Sequence, residues 1–119
     1  MAEFNAGITE NGNVQIIELA GFLDAHTAPR LENTFNELLT RQQYRVVVNF
    51  RNLKYISSAG LGVFMAFIET MRSNGGDIKL TEMQPNVYNI FDLLGFPLLY
   101  EIFPTQQEGI QKFQQSSEN

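Results

Sequence analysis

Apolar and polar positions change period several times along this chain, and each change marks an element. The stretch "FNAGITENGNVQIIEL", residues 4 to 19, places two extended runs around Asn11-Gly12, a pair that tolerates the positive φ of a tight turn, and predicts a β-hairpin. Its second run brings Val14, Ile16 or Ile17, and Leu19 toward the core. After Gly21 the period lengthens. Leu31, Phe35, Leu38 and Leu39 are spaced i, i+4, i+7, i+8, the apolar stripe of an amphipathic helix. Thr27 is placed as its N-cap, and Pro29 falls in the first turn, where a missing N–H costs nothing. "YRVVVNF" is a continuous β-branched run and predicts a central strand buried on both faces.

A second helix is predicted from Ser58 to Ser73, with Leu61, Phe64, Met65, Ile68 and Met71 on its core face and "NGG" at 74–76 stopping it. On that stripe Val63 and Phe67 lie to another side, at least partly exposed, either as a docking face or packed on the neighbouring helix. "DIKLTEM" reads as another strand. "PNVYNIFDLLG" reads as a short helix opened by Pro85, turning Val87, Ile90, Phe91 and Leu94 inward and closed by Gly95. "GFPLLY" is expected to be a buried connection with Phe96 at the surface, "LLYEIF" a last strand and "TQQEGIQKF" a final helix. The order β-β-α-β-α-β-α-β-α predicts a small α/β sandwich on a mixed, mostly parallel sheet of four to five strands with about four helices.

Composition narrows the class. The 119 residues suit a single domain, with a core from about 5 to 113 and a short polar tail. At 44% hydrophobic and 18% charged the chain is globular. Ten phenylalanines are a large apolar payload, so some are expected to face a partner. The net charge is −5, and "RNLK" is the nearest approach to a basic cluster, its Arg51, Asn52 and Lys54 expected as solvated turn residues. Neither nucleic acid nor a polybasic membrane anchor is expected. Zero cysteines exclude disulfides, thiolate metal sites and thiol nucleophiles. "MAEFNAGITE" has neither a basic start nor an apolar run, so no signal peptide is expected. No run approaches the roughly 20 apolar residues of a membrane span. A cytoplasmic protein is expected.

Catalytic options fail one by one. The single histidine, His26, stands near Asp24 in the loop before the first helix, and such a pair can orient a base. No serine lies in a nucleophile elbow and no metal-ligand cluster exists, so His26 reads as an ordinary loop residue. "GLG" at 60–62 is not a dinucleotide fingerprint, and no phosphate-binding loop occurs. Carboxylates such as Asp77 and Glu82 are scattered. The chain therefore reads as a non-enzyme without cofactor or metal.

What survives is "YISSAGLGVF", residues 55 to 64. A Ser58 hydroxyl capping the first helical turn, with Gly60 and Gly62 permitting close packing, is one reading; such a cap contributes about 1 kcal/mol. Yet two glycines in a first turn weaken a helix by roughly 1 kcal/mol each relative to alanine. They also clear the space around Ser57 and Ser58, as a kinase active site requires. A phosphate there adds about −1.5 to −2 charges. A helix N-terminus accommodates that charge, whereas a partner packed on the same surface does not. This asymmetry makes a binding switch. A constitutive scaffold and, more remotely, a small-molecule or nucleotide sensor are the other readings these residues allow.

From about Asn5 to Phe113 the chain resembles a STAS domain of the anti-anti-sigma factor class. The resemblance rests on "GFLDAHTAPRLE", on "VVVNFRNLKYISSAGLGVF" and on "GGDIKLTEMQPNVYNIFDLLGF"; the most specific element is Ser-x-Gly-Leu-Gly opening a helix after an apolar strand and a short polar link. It implies an anti-sigma factor antagonist. In that family the unphosphorylated form binds an anti-sigma factor that is also an ATP-dependent serine kinase of the histidine-kinase-like ATPase fold, and so frees the sigma factor. The kinase phosphorylates a serine at the helix start, the complex separates, and a metal-dependent serine phosphatase resets the cycle. Carried over by motif, the acceptor is Ser58, with Ser57 as the alternative. The aspartate of the loop after the second strand is Asp24, close to the Ser58 loop. The implied partner surface is Asp24, Ser57, Ser58, Ala59, Gly60, Leu61, Gly62 and Val63. A monomer, or at most a weak dimer, is expected. Two positions depart from the best-known members: Ser57 stands where they have an acidic residue, and Ala59 where a hydroxyl often follows. The departure bears on kinase recognition and on which serine is modified. Such a loop also occurs in members whose partner controls an output other than a sigma factor.

Overall fold

In the computed structural model, which describes residues 4–117, the Asn11-Gly12 pair turns the chain as its residue types favour. Gly12 takes φ +64, and β1 (Asn5–Asn11) folds back antiparallel on β2 (Val14–Leu23), from Asn11↔Val14 at the turn to Asn5↔Ala20. Each later strand joins in parallel. β3 (Arg45–Ile56) pairs with β2, β4 (Asp77–Thr81) with β3, and the two-residue β5 (Ile102–Phe103) with β4, in the spatial order β1-β2-β3-β4-β5. Right-handed crossovers between strands that advance in one direction put their helices on one face. Accordingly α1 (Ala28–Thr40), α2 (Ser58–Ser73) and α3 (Pro85–Leu93) share a core, while α4 (Gln106–Ser117) packs on the opposite face. The result is the mixed, mostly parallel α/β sandwich, with five strands and four α-helices.

Alternation along β2 and β3 divides the core. Ile17, Leu19 and Leu23, with Val46, Val48, Phe50, Leu53 and Ile56, belong to the α1–α3 side; Val14, Ile16 and Val47 pack with Ile110 and Phe113 of α4. Both Ile16 and Ile17 are thus buried, on opposite faces. The larger core is threaded by rings: Phe67 stacks on Phe35 at 5.0 Å, Phe35 meets Phe64 edge-on at 5.9 Å, and Phe64 and Phe50 lead to Phe91, Phe96 and Tyr100. At Gly109 a Cβ would lie 2.9 Å from Thr81 Cγ2, so the missing side chain lets α4 sit down on β4. Lys79, buried beneath that helix, is held by Asp77 (3.1 Å) and Glu101, with its ammonium 4.5 Å from the Phe113 ring centroid.

Several expectations are corrected. Val63, only 4% exposed, and Phe67 are buried rather than partly exposed, Phe67 by packing on the neighbouring helix as one of the two readings expected, whereas Met65 is 47% exposed. Wedged between α1, the sheet and α3, α2 buries a wider and rotated arc: Gly60, Leu61, Val63, Phe64, Phe67 and Met71. Ile68 is half-buried. Leu94 is exposed because α3 ends before it, and Gly95 at φ +77 leads into a 3-10 turn, Phe96–Leu98, within the expected connection, while the strand expected over 98–103 shortens to β5 at Ile102–Phe103. That turn drives Phe96 into the ring chain and leaves Leu98 90% exposed, the reverse of the expected arrangement. Arg51, Asn52 and Lys54 are exposed as expected, but they lie inside β3 rather than in a turn.

Candidate functional site: the Asp24 and Ser57-Ser58 loops

Strands β2 and β3 run parallel and end together at Leu23↔Ile56, so the loops leading to α1 and α2 leave the same edge of the sheet side by side. The C-terminal edge of parallel strands is where open α/β sheets bind ligands. The Ser57 N–H donates to Leu23 O at 2.9 Å and ties the two loops at their bases.

Asp24 and Thr27 organise the first loop reciprocally. Asp24 Oδ1 accepts from the N–H groups of His26 (2.9 Å) and Thr27 (3.1 Å), and Thr27 Oγ1 accepts from the Asp24 N–H (2.9 Å) while donating to Phe22 O (2.8 Å). This is the logic of a capping box placed one turn early. Thr27 is the N-cap residue of α1, yet its side chain makes no cap hydrogen bond to the helix. Asp24 Oδ2 has no hydrogen-bond partner among the described residues. His26 is exposed and joins this loop through its backbone.

In the second loop the two serines divide the labour differently from the expected way. Ser57, extended at φ −101 and ψ 173, is the N-cap of α2; its Oγ accepts from the Gly60 N–H at 3.4 Å and its carbonyl from the Leu61 N–H at 3.0 Å. Ser58 is the first helical residue. It is exposed, and its hydroxyl has no hydrogen-bond partner among the described residues. The N–H groups of Ser58 and Ala59, in the first turn, have no intrahelical acceptor by helix geometry.

The two glycines also differ. A Cβ at Gly60 would lie 2.6 Å from Leu23 Cγ, so that glycine is a packing requirement, while a Cβ at Gly62 would meet nothing within 4 Å. Of the eight residues expected to form the partner surface, Ser58, Ala59 and Gly62 are exposed and Asp24 and Ser57 half-buried. Gly60, Leu61 and Val63 point into the core and support the surface from beneath. Two aromatic side chains that the sequence pattern does not single out also lie at this edge. Phe22 and Tyr55, register partners at the ends of β2 and β3, are 43% and 45% exposed with ring centroids 6.0 Å apart. Each ring is the strand neighbour of a residue in the larger core, Leu23 or Ile56, which turns it to the other side of its strand. Among the described residues no group of three or more His, Cys, Asp or Glu is placed to hold a metal ion, and no helix is long and apolar enough to cross a membrane.

Residues 5–109 match the STAS domain family. The chain belongs to that family. This STAS protein is 30% identical over 92 residues to the anti-sigma F factor antagonist of Paenibacillus polymyxa, a match covering 76% of each chain. In fold it is similar to an anti-sigma factor antagonist from Mycobacterium paratuberculosis, with TM-score 0.85 and 18% identity over 92% of this chain and 93% of that one. It is also similar to the Bacillus cell fate determinant SpoIIAA in its phosphorylated form, with TM-score 0.71 and 19% identity over 93% of this chain and 99% of that one. The likeness to the anti-anti-sigma class, first seen in three sequence motifs, therefore holds for the STAS protein as a whole.

Proposed function

We propose that this STAS protein is an anti-sigma factor antagonist whose grip on an anti-sigma factor is released by phosphorylation of Ser58. The observation that carries the reading is the contrast between two adjacent hydroxyls: Ser57 is spent on the helix cap, while Ser58 is exposed and unengaged. The open space at Gly62 and the small Ala59 leave a kinase active site room to reach it. Relatives named as anti-sigma factor antagonists support the same role, and SpoIIAA, so named in its unphosphorylated structure, is also solved in a phosphorylated form.

A phosphate on Ser58 is acceptable to the chain and unacceptable to a docked partner. Its two negative charges face the N-terminal end of a 16-residue helix, where the dipole and the N–H groups of Ser58 and Ala59 favour an anion. The partner, packed over Asp24, Ser58, Ala59 and Gly62, meets a hydrated dianion inside its interface, and a desolvated unpaired charge is expensive. The kinase in this cycle is the anti-sigma factor itself, with an ATPase fold, and a metal-dependent phosphatase restores the binding form. The STAS protein supplies the acceptor and the docking surface, and catalyses neither step. In place of the family's acidic residue before the acceptor, Ser57 provides the helix cap through its hydroxyl.

The test uses the chain and its Ser58→Ala and Ser58→Glu variants as bait in lysate of the native cell. Wild type and Ser58→Ala are expected to retain a kinase-like ATPase that Ser58→Glu loses. Identical partners for all three would remove charge at Ser58 from the control of docking and leave a constitutive scaffold.

A further inference from the structure

We infer that two copies of this chain join through the open edge of β1, antiparallel about a two-fold axis at Gly7, with Glu10 of each copy set against Arg30 of the other. β1 and β5 are the two edges of the sheet, and they are finished differently. β5 is two residues long and is followed directly by Pro104, both devices that blunt an edge. β1 is seven residues long, holds no proline or lysine, and keeps an unbroken register with β2, so no bulge twists it away. Asn11 and Val14 flank the two-residue turn and exchange both ladder bonds, which turns the backbone groups of the odd residues of β1 toward β2. The N–H and C=O groups of Ala6, Ile8 and Glu10 therefore point away from the sheet, and among the described residues no strand pairs with them.

The side chains choose both the occupant and the register. Phe4 belongs to the larger core and Ala6 and Ile8 pack against it, so the even row faces α1. Glu10 continues that row by alternation and is exposed. At the other end of the strand the Arg30 guanidinium lies 5.7 Å from the Phe4 ring centroid, with no carboxylate partner among the described residues. A strand with an anion at one end and a cation beside the other complements an antiparallel copy of itself. Pairing about Gly7 sets Glu10 opposite Phe4 of the second copy, beside its Arg30, twice by symmetry. The same register sets Ala6 against Ile8 on that face and Asn5 against Thr9 on the other. Pairing about Ile8 would instead put Glu10 against Ala6, and pairing about Ala6 would carry Glu10 past Phe4.

The remaining charges permit this pairing. Glu18, the register partner of Gly7, lies on the face away from α1. Its two copies stand three strand spacings apart, about 14 Å, beyond a Debye length of about 8 Å. Glu37 is paired with Arg41 within α1. One strand from each copy is a contact below the standard interface size, so the dimer is weak and forms at high protein concentration. The joined sheet has five strands from each copy, and β2 runs in opposite directions in the two. The two Asp24 and Ser58 loops then lie at opposite edges and both stay open, so the inference stands apart from the role of Ser58.

Sedimentation equilibrium of the full chain up to about 1 mM should show reversible association of monomers into dimers. Arg30→Glu or Glu10→Arg alone should weaken it at least about fivefold, the combined worth of two exposed ion pairs, and the two together should restore it. Ala6→Pro removes an outward N–H without touching the β2 ladder and should abolish association. An unchanged urea midpoint checks its fold, and the charge and cysteine variants decide the matter if that midpoint moves. Register is read by cross-linking, since the chain has no cysteine. Gly7→Cys places two thiols on the axis, where facing Cα atoms stand about 4.5 Å apart, within disulfide reach. A Cβ there meets nothing closer than 3.8 Å. Thr9→Cys holds its two thiols about 14 Å apart. Mild oxidation should therefore give covalent dimer from Gly7→Cys and little from Thr9→Cys. A chain still monomeric at about 1 mM, association that survives Ala6→Pro or fails to recover in the charge swap, or cross-linking through Thr9→Cys in preference to Gly7→Cys would overturn the inference.

Discussion

Replacing Gly60 by alanine puts a methyl group 2.6 Å from Leu23 Cγ, 3.0 Å from Leu23 Cδ2 and 3.1 Å from Ile56 Cγ1. Both neighbours are buried, and both sit at the bases of the two loops that form the site. Relief requires α2 to lift from the sheet or Leu23 to leave its rotamer, and overpacking of this kind costs about 1–3 kcal/mol. Alanine returns about 1 kcal/mol of helix propensity, so Gly60→Ala should be destabilised by about 1 kcal/mol net. Two residues on, Gly62→Ala meets no atom within 4 Å and keeps an ordinary helical φ, so it should be stabilised by about 0.5–1 kcal/mol. The predicted gap between the variants is about 2 kcal/mol. Far-UV circular dichroism in urea measures it directly, since the chain has no tryptophan to report otherwise. A Gly60→Ala variant as stable as Gly62→Ala would refute the packing argument. Function should split the other way. Gly62→Ala, although more stable, adds a methyl to the proposed docking surface and should bind the partner less tightly than wild type.

Three further outcomes follow from particular contacts. Ser57→Ala removes a cap whose Oγ···N distance is already 3.4 Å, so urea unfolding should show a loss toward the lower end of the usual cap range, about 0.5–1 kcal/mol, with Ser57→Asp restoring it. Phe64→Ala deletes a fully buried ring touching Phe35, Phe50 and Phe91; a loss of about 3–5 kcal/mol is expected, and a loss under about 1 kcal/mol would contradict the ring chain as a core. Burial pushes the Tyr100 hydroxyl well above its ordinary value near 10, with the Arg72 guanidinium partly opposing and Asp77 adding to the rise. The folded chain then keeps a proton that the unfolded chain loses, so stability falls as pH rises above about 10. Tyr100→Phe should flatten that fall in urea midpoints measured across the alkaline range.

Most elements were legible because their signals are local. Asn11-Gly12 demands a tight turn, "YRVVVNF" can be buried on two faces only in mid-sheet, and Pro85 and Gly95 bracket α3. The rotation of α2 was not legible, since apolar residues run almost without a break from Leu61 to Ile68 and several stripes fit the same period. The neighbours chose among them: Phe35 on α1 draws in Phe67 and leaves Met65 outside. In "GFPLLY" composition could not rank Phe96 against Leu98, because the deciding factor is a ring stack with Tyr100 that exists only once the 3-10 turn forms. At the site, the pairing of Asp24 with the serine loop came from a family likeness, and the cap fell one residue earlier than expected. The Phe22–Tyr55 pair needs the parallel register of β2 on β3, with irregularities after Glu18 and Gly21, and no local pattern encodes that.

The central claim is that one phosphate on Ser58 decides whether the partner stays bound. The direct measurement is to phosphorylate the chain with the kinase-like ATPase that the proposal expects it to capture, locate the phosphate by peptide mass spectrometry, and compare both forms by isothermal titration calorimetry against that same protein. The account predicts phosphate on Ser58 and an affinity lower by at least about a hundredfold, as a misplaced charge at an interface costs several kcal/mol. Phosphate on Ser57 or elsewhere, or equal affinities for the two forms, would contradict it.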